Sequence, residues 1–184
     1  MRVSGGSLRG RALISPKGND VRPTASVVKE ALMSMLAFQL GGARVLDLFC
    51  GSGQMGIECL SRGAGECVFA DISRESCRIT RDNLGALGLE GSVMQSDWEQ
   101  TLTALSVRGK SFDIIIADPP YRAGMYEKIQ DRIVERGVLS PDGVLVLEHD
   151  KALPPEAVDG LSVLKMRSYG KRCLMLLQLK RNEQ

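Results

Sequence analysis

Short apolar segments alternate with segments of helical periodicity along most of this chain, and that alternation restricts the possible folds more than any other feature. The predicted strands are Arg44–Leu48, Glu66–Ala70, Gly91–Gln95, Phe112–Ala117 and Gly143–Glu148. The helical periodicity covers Gln54–Arg62, Arg74–Leu87, Trp98–Val107 and Met125–Arg136. Such alternation is typical of an α/β domain with a mostly parallel sheet covered by helices on both faces.

The two ends of the chain depart from this alternation. Two late apolar segments, Leu161–Met166 and Cys173–Leu179, have no helical segment between them, so we expect an antiparallel pair joined across Ser168–Lys171. Residues 1–40 begin with a glycine-rich stretch that can form a hairpin, followed by a helix that ends before Gly41-Gly42. We therefore predict a small N-terminal extension, residues 1–40, packed on one main domain, residues 41–184.

The net charge of +2 conceals an uneven distribution of charged residues. Residues 1–30 carry a balance of +4 and residues 165–184 a balance of +5, which leaves −7 for the middle of the chain. Basic ends on an acidic body are expected where the ends contact a polyanion, although solvated terminal lysines and arginines give the same count. The charge pattern thus suggests a nucleic-acid partner without establishing one.

The composition excludes several other classes of protein. No segment is long and apolar enough to span a membrane, and the N-terminus has no signal-peptide pattern, so we expect a cytoplasmic protein. The five cysteines include no CxxC pair and are expected to be reduced and buried. With His149 as the single histidine, we predict no metal site and no catalytic role for a histidine.

The segment from Val45 to Gly53 is an apolar strand that leads into a glycine turn and then a helix. Glycines at such a turn allow a ligand to approach the backbone, and the helix N-terminus offers free N–H donors. Gly51, Gly53 and Gly56 also satisfy the G-x-G-x-x-G register of dinucleotide-binding proteins. A nicotinamide-dependent oxidoreductase therefore remains an alternative on the glycines alone.

Acidic residues at three successive predicted strand ends favour a different cofactor. Asp47 can hold a cationic ligand or orient the turn, and Asp71 is placed to accept hydrogen bonds from both ribose hydroxyls. Asp97, with Trp98, can recognise an adenine amino group and cover its ring, although each of these acids could instead cap a loop or helix. The predicted S-adenosylmethionine site consists of Asp47, Phe49, Gly51, Gly53, Asp71, Ile72, Asp97 and Trp98.

The tetrapeptide Asp118-Pro119-Pro120-Tyr121 directly follows the strand that contains Ile114–Ile116, and we predict that it is catalytic. An exocyclic amino nitrogen on a base is a poor nucleophile because its lone pair is delocalised into the ring. The Asp118 carboxylate and the Pro119 carbonyl can accept hydrogen bonds from both N–H groups and localise that lone pair, while the prolines fix the geometry. Tyr121 can stack on a base removed from its helix.

The segment from Asp47 to Gly53 and the tetrapeptide from Asp118 to Tyr121 resemble the cofactor and catalytic motifs of Rossmann-like amino methyltransferases. Over nearly its full length the chain resembles the RsmD-like bacterial family that methylates guanine N2 in small-subunit ribosomal RNA. The other matching segments are Gly6-x-x-Arg9-Gly10-Arg11, Arg22-Pro23-Thr24, Val28-Lys29-Glu30-Ala31-Leu32 and Leu60-Ser61-Arg62-Gly63-Ala64. Gln54-Met55, after the glycine turn, departs from the small apolar pair expected there. The resemblance implies a seven-stranded sheet with an antiparallel last strand and a guanine presented in an assembling ribosomal subunit.

Under this interpretation the basic ends bind RNA, and the protein is expected to be a monomer. The predicted RNA-binding residues are Arg2, Arg9, Arg11, Arg22, Lys171 and Arg172, with Lys17 as a further phosphate contact. The catalytic motif is shared with DNA adenine methyltransferases, so a DNA or glutamine amino methyltransferase remains an alternative. A non-catalytic RNA-binding assembly factor is a further alternative, which the intact Asp118 motif disfavours.

Overall fold

The computed structural model describes residues 1–15, 23–120 and 124–181. Within them the elements in chain order are α1 Pro23–Leu36, β1 Arg44–Asp47, α2 Gln54–Ser61, β2 Glu66–Asp71, α3 Arg74–Leu87, β3 Ser92–Gln95, α4 Trp98–Val107, β4 Phe112–Ala117, α5 Met125–Arg136, β5 Leu139–Asp150, β6 Leu161–Tyr169 and β7 Arg172–Leu179. The predicted alternation is confirmed, and the largest difference is β5, which is longer at both ends than the predicted Gly143–Glu148.

The strands form one seven-stranded sheet in the order β3-β2-β1-β4-β5-β7-β6. Strands β1 to β5 are mutually parallel where they pair, and β7 is antiparallel to both β5 and β6. The order reverses at β1, which lies between β2 and β4. Ligands of open parallel sheets bind at such a reversal, outside the carboxyl ends of the strands. The sheet order therefore points to the loops that follow β1 and β4.

Two apolar cores lie on the two faces of the sheet, as alternation along its strands requires. In β4, Ile114 and Ile116 face a core that includes α1, α2 and α3. Ile115, between them, faces a second core that includes α4 and α5. Because both faces are covered, β4 is apolar without interruption, as parallel strands usually are.

The N-terminal residues pack on the first of these cores. Val3 and Leu13 are buried beside residues of α1 and α2, and a single antiparallel bridge joins Arg2 to Ala12. The glycine-rich stretch thus folds back on itself, as predicted, but with one bridge rather than two paired strands. It is held by side chains of α2 and α3, which makes it part of the same layer as α1.

Candidate active site

The loop that follows β1 is shaped by its glycines. Gly51 and Gly53 have φ values of 54° and 76°, in the left-handed region that favours glycine. A Cβ on Gly51 would meet no protein atom within 4 Å, so the backbone there faces open space where a ligand can approach. Gly56 has a different reason to be glycine, because a Cβ would lie 2.3 Å from Cε1 of Phe69 in β2. The third glycine therefore serves the packing of α2 on the sheet.

Asp47, the last residue of β1, holds this loop from beneath. Its carboxylate is 3% exposed, and Oδ2 accepts a hydrogen bond of 2.9 Å from the Gly56 backbone N–H. Burial raises the pKa of Asp47 to about 7, against the hydrogen bond from Gly56, and the charge of Asp71 adds to the rise. The hydrogen bond from Gly56 shows that Asp47 orients the turn, and the same carboxylate can pair with a nearby cationic group.

Asp71, at the end of β2, ties two turns together. Its Oδ2 accepts from the Gly51 N–H at 3.0 Å, and its Oδ1 accepts from the Ser73 N–H at 2.8 Å. Each oxygen can accept a further hydrogen bond, so a ribose contact remains compatible with this geometry. Ile72, the next residue, is 72% exposed, which leaves its apolar side chain available to cover a ring.

Of the other predicted cofactor residues, Asp97 caps a helix, whereas Phe49 and Trp98 pack partly against an apolar core. Asp97 is the N-cap of α4, where Oδ1 accepts from the N–H groups of Glu99 and Gln100. Its contribution to helix stability is therefore evident, and its contact with adenine stays a prediction. Phe49 and Trp98 are half-buried and pack against the core of α4 and α5. These contacts support the rim of the crevice but leave part of each ring accessible.

Asp118 follows β4 directly and lies on the same side of the sheet as Asp47. Asp118 keeps 44% of its side chain exposed, whereas Pro119 is buried and Pro120 is exposed; Tyr121 lies outside the described residues. Pairing of Ala117 with Leu147 places Asp118 beside Glu148 of β5. The structure thus brings Asp47, Asp71 and Asp118 to the edge of the sheet at which the parallel strands β1, β2 and β4 end.

The surroundings of Asp118 contain charges that the sequence did not indicate. Glu148 has a 10% exposed side chain and forms an ion pair with Arg172 of β7, whose Nη1 lies 3.7 Å from Oδ2 of Asp118. Desolvation raises the pKa of Asp118, Glu148 adds to the rise, and Arg172 opposes it. Because one side of the carboxylate is exposed, water screens part of these effects.

The predicted RNA-binding residues that the structure describes do not form one patch. Arg2 donates to the Gly10 carbonyl, Arg9 is exposed, and Arg11 donates to the Ala86 carbonyl in the last turn of α3. That turn leads to the amino end of β3, so Arg11 lies towards the end of the sheet opposite Asp118. Lys171 is exposed at the β6–β7 turn, and Arg22 and Lys17 lie outside the described residues.

Arg172, which was predicted as an RNA contact, also has neighbours within the candidate active site. Its guanidinium lies between two carboxylates at the active-site edge of the sheet, so its neighbours give it a role within the site. Asn83 was not predicted at all. It is 1% exposed, donates to the Ser52 carbonyl at 2.9 Å, and bonds the backbone of Ile14 in both directions. An asparagine on a buried helix face was the available signal.

Comparison with known proteins gives the family. The model of the family described as conserved hypothetical protein 95 matches residues 1–178. The chain belongs to this family. "Putative rRNA methyltransferase YlbH" of Bacillus subtilis is 38% identical over 173 residues, covering 92% of this chain and 94% of YlbH. "Ribosomal RNA small subunit methyltransferase D" of Escherichia coli is 31% identical over 151 residues, covering 82% of this chain and 75% of that protein.

Solved structures agree with this family. The "putative methyltransferase yhhF" from E. coli has a TM-score of 0.88 and 29% identity, covering 98% of both chains. The Thermus thermophilus 16S rRNA N2 G1207 methyltransferase RsmC, solved with AdoMet and guanosine, has a TM-score of 0.66 and 26% identity, covering 90% of this chain and 45% of RsmC. The predicted family is confirmed, as is the predicted Rossmann-like fold of S-adenosylmethionine-dependent methyltransferases.

Family membership disfavours the nicotinamide alternative, whose only support was the glycine register. Other predictions meet more limited observations. The five cysteines are buried and unpaired, as expected. Across residues 1–15, 23–120 and 124–181, no helix is long and apolar enough to cross a membrane. The same residues contain no group of three or more histidine, cysteine, aspartate or glutamate side chains positioned to hold a metal ion.

Proposed function

We propose that this family member transfers a methyl group from S-adenosylmethionine to the exocyclic N2 amino group of a guanine in small-subunit ribosomal RNA. The observation that carries the proposal is the position of Asp118, which follows β4 beside the glycine turn of β1 on one edge of the sheet. The names of the relatives, and guanosine in the RsmC structure, support the choice of rRNA and guanine.

The residues of the β1 and β2 loops fit S-adenosylmethionine. Gly51 leaves open space for it, Asp71 has acceptor capacity for ribose hydroxyls, and Ile72 offers an exposed apolar surface. The buried Asp47 carboxylate can compensate a positive charge without contacting solvent. Phe49, Gly53, Asp97 and Trp98 would complete the surrounding wall. When bound, the cofactor supplies a methyl group on a positively charged sulfur, which is already reactive towards a nitrogen lone pair.

The Asp118 motif prepares the nitrogen. The Asp118 carboxylate accepts one N–H of the amino group and the Pro119 carbonyl accepts the other, which directs the lone pair away from the ring. Pro119 and Pro120 restrict the backbone, so the two acceptors are positioned before substrate binds. No strong base is needed, because the nitrogen loses its extra proton readily to water once the bond to carbon has formed. Positioning and electrostatics therefore supply most of the acceleration.

RNA contacts extend beyond this centre. We propose that Lys171 binds phosphate near the active site, and that Arg2, Arg9, Arg11 and the N-terminal residues Lys17 and Arg22 contact more distant phosphates. The rRNA methyltransferases among its relatives favour a target defined by folded RNA over duplex DNA. We further propose that the protein acts as a cytoplasmic monomer.

The direct test is transfer of labelled methyl groups to small ribosomal subunits from cells that lack this gene, followed by nucleoside analysis. Labelled N2-methylguanosine is the expected product. Asp118→Ala should abolish transfer while leaving the affinity for S-adenosylmethionine within about twofold, because Asp118 faces the substrate side. Label in duplex DNA but not in ribosomal particles would reject the substrate, and wild-type turnover by Asp118→Ala would reject the mechanism.

A further inference from the structure

Arg172 and Glu148 form a charged pair beside Asp118 that neither the motif nor the family description explains. The three residues come from neighbouring strands or their ends: Asp118 after β4, Glu148 in β5 and Arg172 at the start of β7. Pairing of Glu148 with Leu174, and of Asp150 with Arg172, places Glu148 and Arg172 on one face of the sheet. Ile116, two residues before Asp118, lies on that face too.

Glu148 and Arg172 have different contacts: Glu148 holds Arg172, and Arg172 faces Asp118. Glu148 is 7% exposed as a residue and holds the Arg172 guanidinium in a direct ion pair. The distance from Arg172 Nη1 to Asp118 Oδ2 is 3.7 Å, which is an electrostatic contact but longer than a hydrogen bond. Asp118 Oδ2 therefore experiences the positive charge of Arg172 Nη1 without accepting a hydrogen bond from that atom.

We propose that Arg172, anchored by Glu148, is a positioning residue that keeps the Asp118 carboxylate ionised and directed towards the substrate amino group. The role of Arg172 in catalysis rests on the methyl transfer proposed above, whereas its effect on the charge of Asp118 does not. Anchoring matters because a flexible arginine would turn to solvent or to RNA phosphates. Glu148 holds the guanidinium beside Asp118 instead, which is the advantage of arginine in paired geometries.

The other groups around Asp118 make such a cation necessary. Asp47 of β1 and Glu148 both add negative charge, and Tyr126 of α5, itself buried, is within electrostatic range of Asp118. Desolvation acts in the same direction as the two acids, and among the residues that the structure describes Arg172 is the cation that opposes them. Without it Asp118 would more readily be protonated, and a protonated carboxyl group accepts a hydrogen bond from the substrate N–H less strongly than a carboxylate does.

Titration of Asp118 by NMR tests the proposal without requiring turnover. The full chain is labelled with 13C at aspartate Cγ, and Asp118→Asn assigns the signal. Arg172→Met should raise the Asp118 pKa by about one pH unit, the low end for a unit charge about 4 Å away in a partly screened site. Arg172→Lys should restore most of the wild-type value. Arg167→Met, which removes an exposed cation from the same hairpin, is the matched control and should leave the pKa unchanged.

The double variant Glu148→Gln/Arg172→Met guards against misfolding, because it removes both charges and leaves no buried carboxylate without a partner. Its Asp118 pKa should lie below that of Arg172→Met, since the repulsion from Glu148 has also gone. A rise smaller than about half a pH unit in folded Arg172→Met would overturn the proposal. So would an equal rise in Arg167→Met, which would indicate a general effect of hairpin charge.

The rate of methyl transfer gives the second readout. In Arg172→Met the acid limb of the kcat profile should move to higher pH by the same amount as the NMR titration, with partial rescue by Arg172→Lys. If only KM rises and the pH profile stays in place, Arg172 is an RNA contact and the proposal fails. If wild-type protein transfers no methyl group to any substrate, the proposed function fails, while the NMR result still decides whether Arg172 controls Asp118.

Discussion

The cluster around Glu58 leads to a sharp prediction about how the N-terminal residues are held. Glu58 lies in α2 with no exposed side-chain surface, and accepts from the Ser4 N–H at 3.0 Å, the Ser4 hydroxyl at 2.7 Å and the Gly5 N–H at 2.8 Å. Arg62 donates to it at 2.9 Å, and Lys29 Nζ lies 3.3 Å away with 6% of its side chain exposed. These contacts and the basic partners lower the pKa of Glu58 despite the opposing effect of burial.

Glu58→Gln keeps the shape of the side chain and removes its charge. The NH2 group of the glutamine then faces N–H and O–H donors from which a Glu58 carboxylate oxygen had accepted. Lys29 also remains buried without its carboxylate partner. Breaking a buried pair in this way costs about 3–5 kcal/mol. Because Arg62 is 23% exposed and can turn to water, we expect a loss of about 3 kcal/mol in the free energy of unfolding. For a chain of this size that lowers Tm by about 6–12 °C.

Urea denaturation at pH 7.5 measures this loss, with Glu66→Gln as the matched control. Glu66 pairs with Lys110 at 3.6 Å with 41% and 49% of the two side chains exposed, so its loss should cost less than about 1 kcal/mol. The pKa of Glu58 is lowered by folding, so its stabilisation is present above the unfolded pKa and disappears as pH falls through the folded pKa. The difference between the variant and wild type should therefore shrink below about pH 4. Equal losses in the two variants at pH 7.5 would refute this account of the cluster.

Two further predictions concern Gly56 in α2 and Asp47 at the end of β1, on the two sides of the glycine turn. Gly56→Ala should lower the free energy of unfolding by about 1–3 kcal/mol, because the added Cβ would overlap Phe69. Gly85→Ala in α3, where the added Cβ meets nothing within 4 Å, should raise it by about 0.5–1 kcal/mol. Chemical denaturation compares the two variants, and equal effects would contradict the packing argument. Asp47→Asn should raise stability at pH 8, because folding raises the Asp47 pKa to about 7 and so makes wild-type stability decrease as pH rises from about 4 through 7. The same variant should weaken binding of S-adenosylmethionine in calorimetry, and a destabilised variant with unchanged affinity would show that Asp47 serves the turn alone.

Local signals in the sequence were sufficient for several elements. Helices α3, α4 and α5 and strand β4 were predicted at their observed bounds. Ser73 and Asp97 cap the starts of α3 and α4, and Gly88 and Gly137 end α3 and α5 in left-handed conformations. Each of these signals acts within one helical turn, so a single sequence reveals it.

Features that depend on pairing between distant segments were not predictable in the same way. β5 begins at Leu139 because Leu139 pairs with Phe112, and a register shift follows before Ile114 meets Val144. Pro141-Asp142-Gly143 reads locally as a turn, so the prediction began the strand too late. Nothing local in the sequence marks Glu58 and Lys29 as buried, and in the fold they contact the N-terminal residues Ser4, Gly5 and Arg2.

The position of β7 explains why the candidate site was predicted only in part. Asp47, Asp71 and Asp118 each end or follow a parallel strand that is recognisable along the chain, whereas Arg172 begins an antiparallel strand inserted next to β5. Its charge compensates Asp118 on the β5 side, whereas the neighbouring charge described on the β1 side is Asp47, a second acid. Among the described residues, the positive charge beside Asp118 thus lies on the β5 side and the negative charge of Asp47 on the side of the glycine turn. A cationic methyl donor is favoured there, and an uncharged base can occupy the space in front of Asp118 without competing with Arg172. The same asymmetry is the reason that Asp118→Ala is expected to impair methyl transfer more than binding of S-adenosylmethionine.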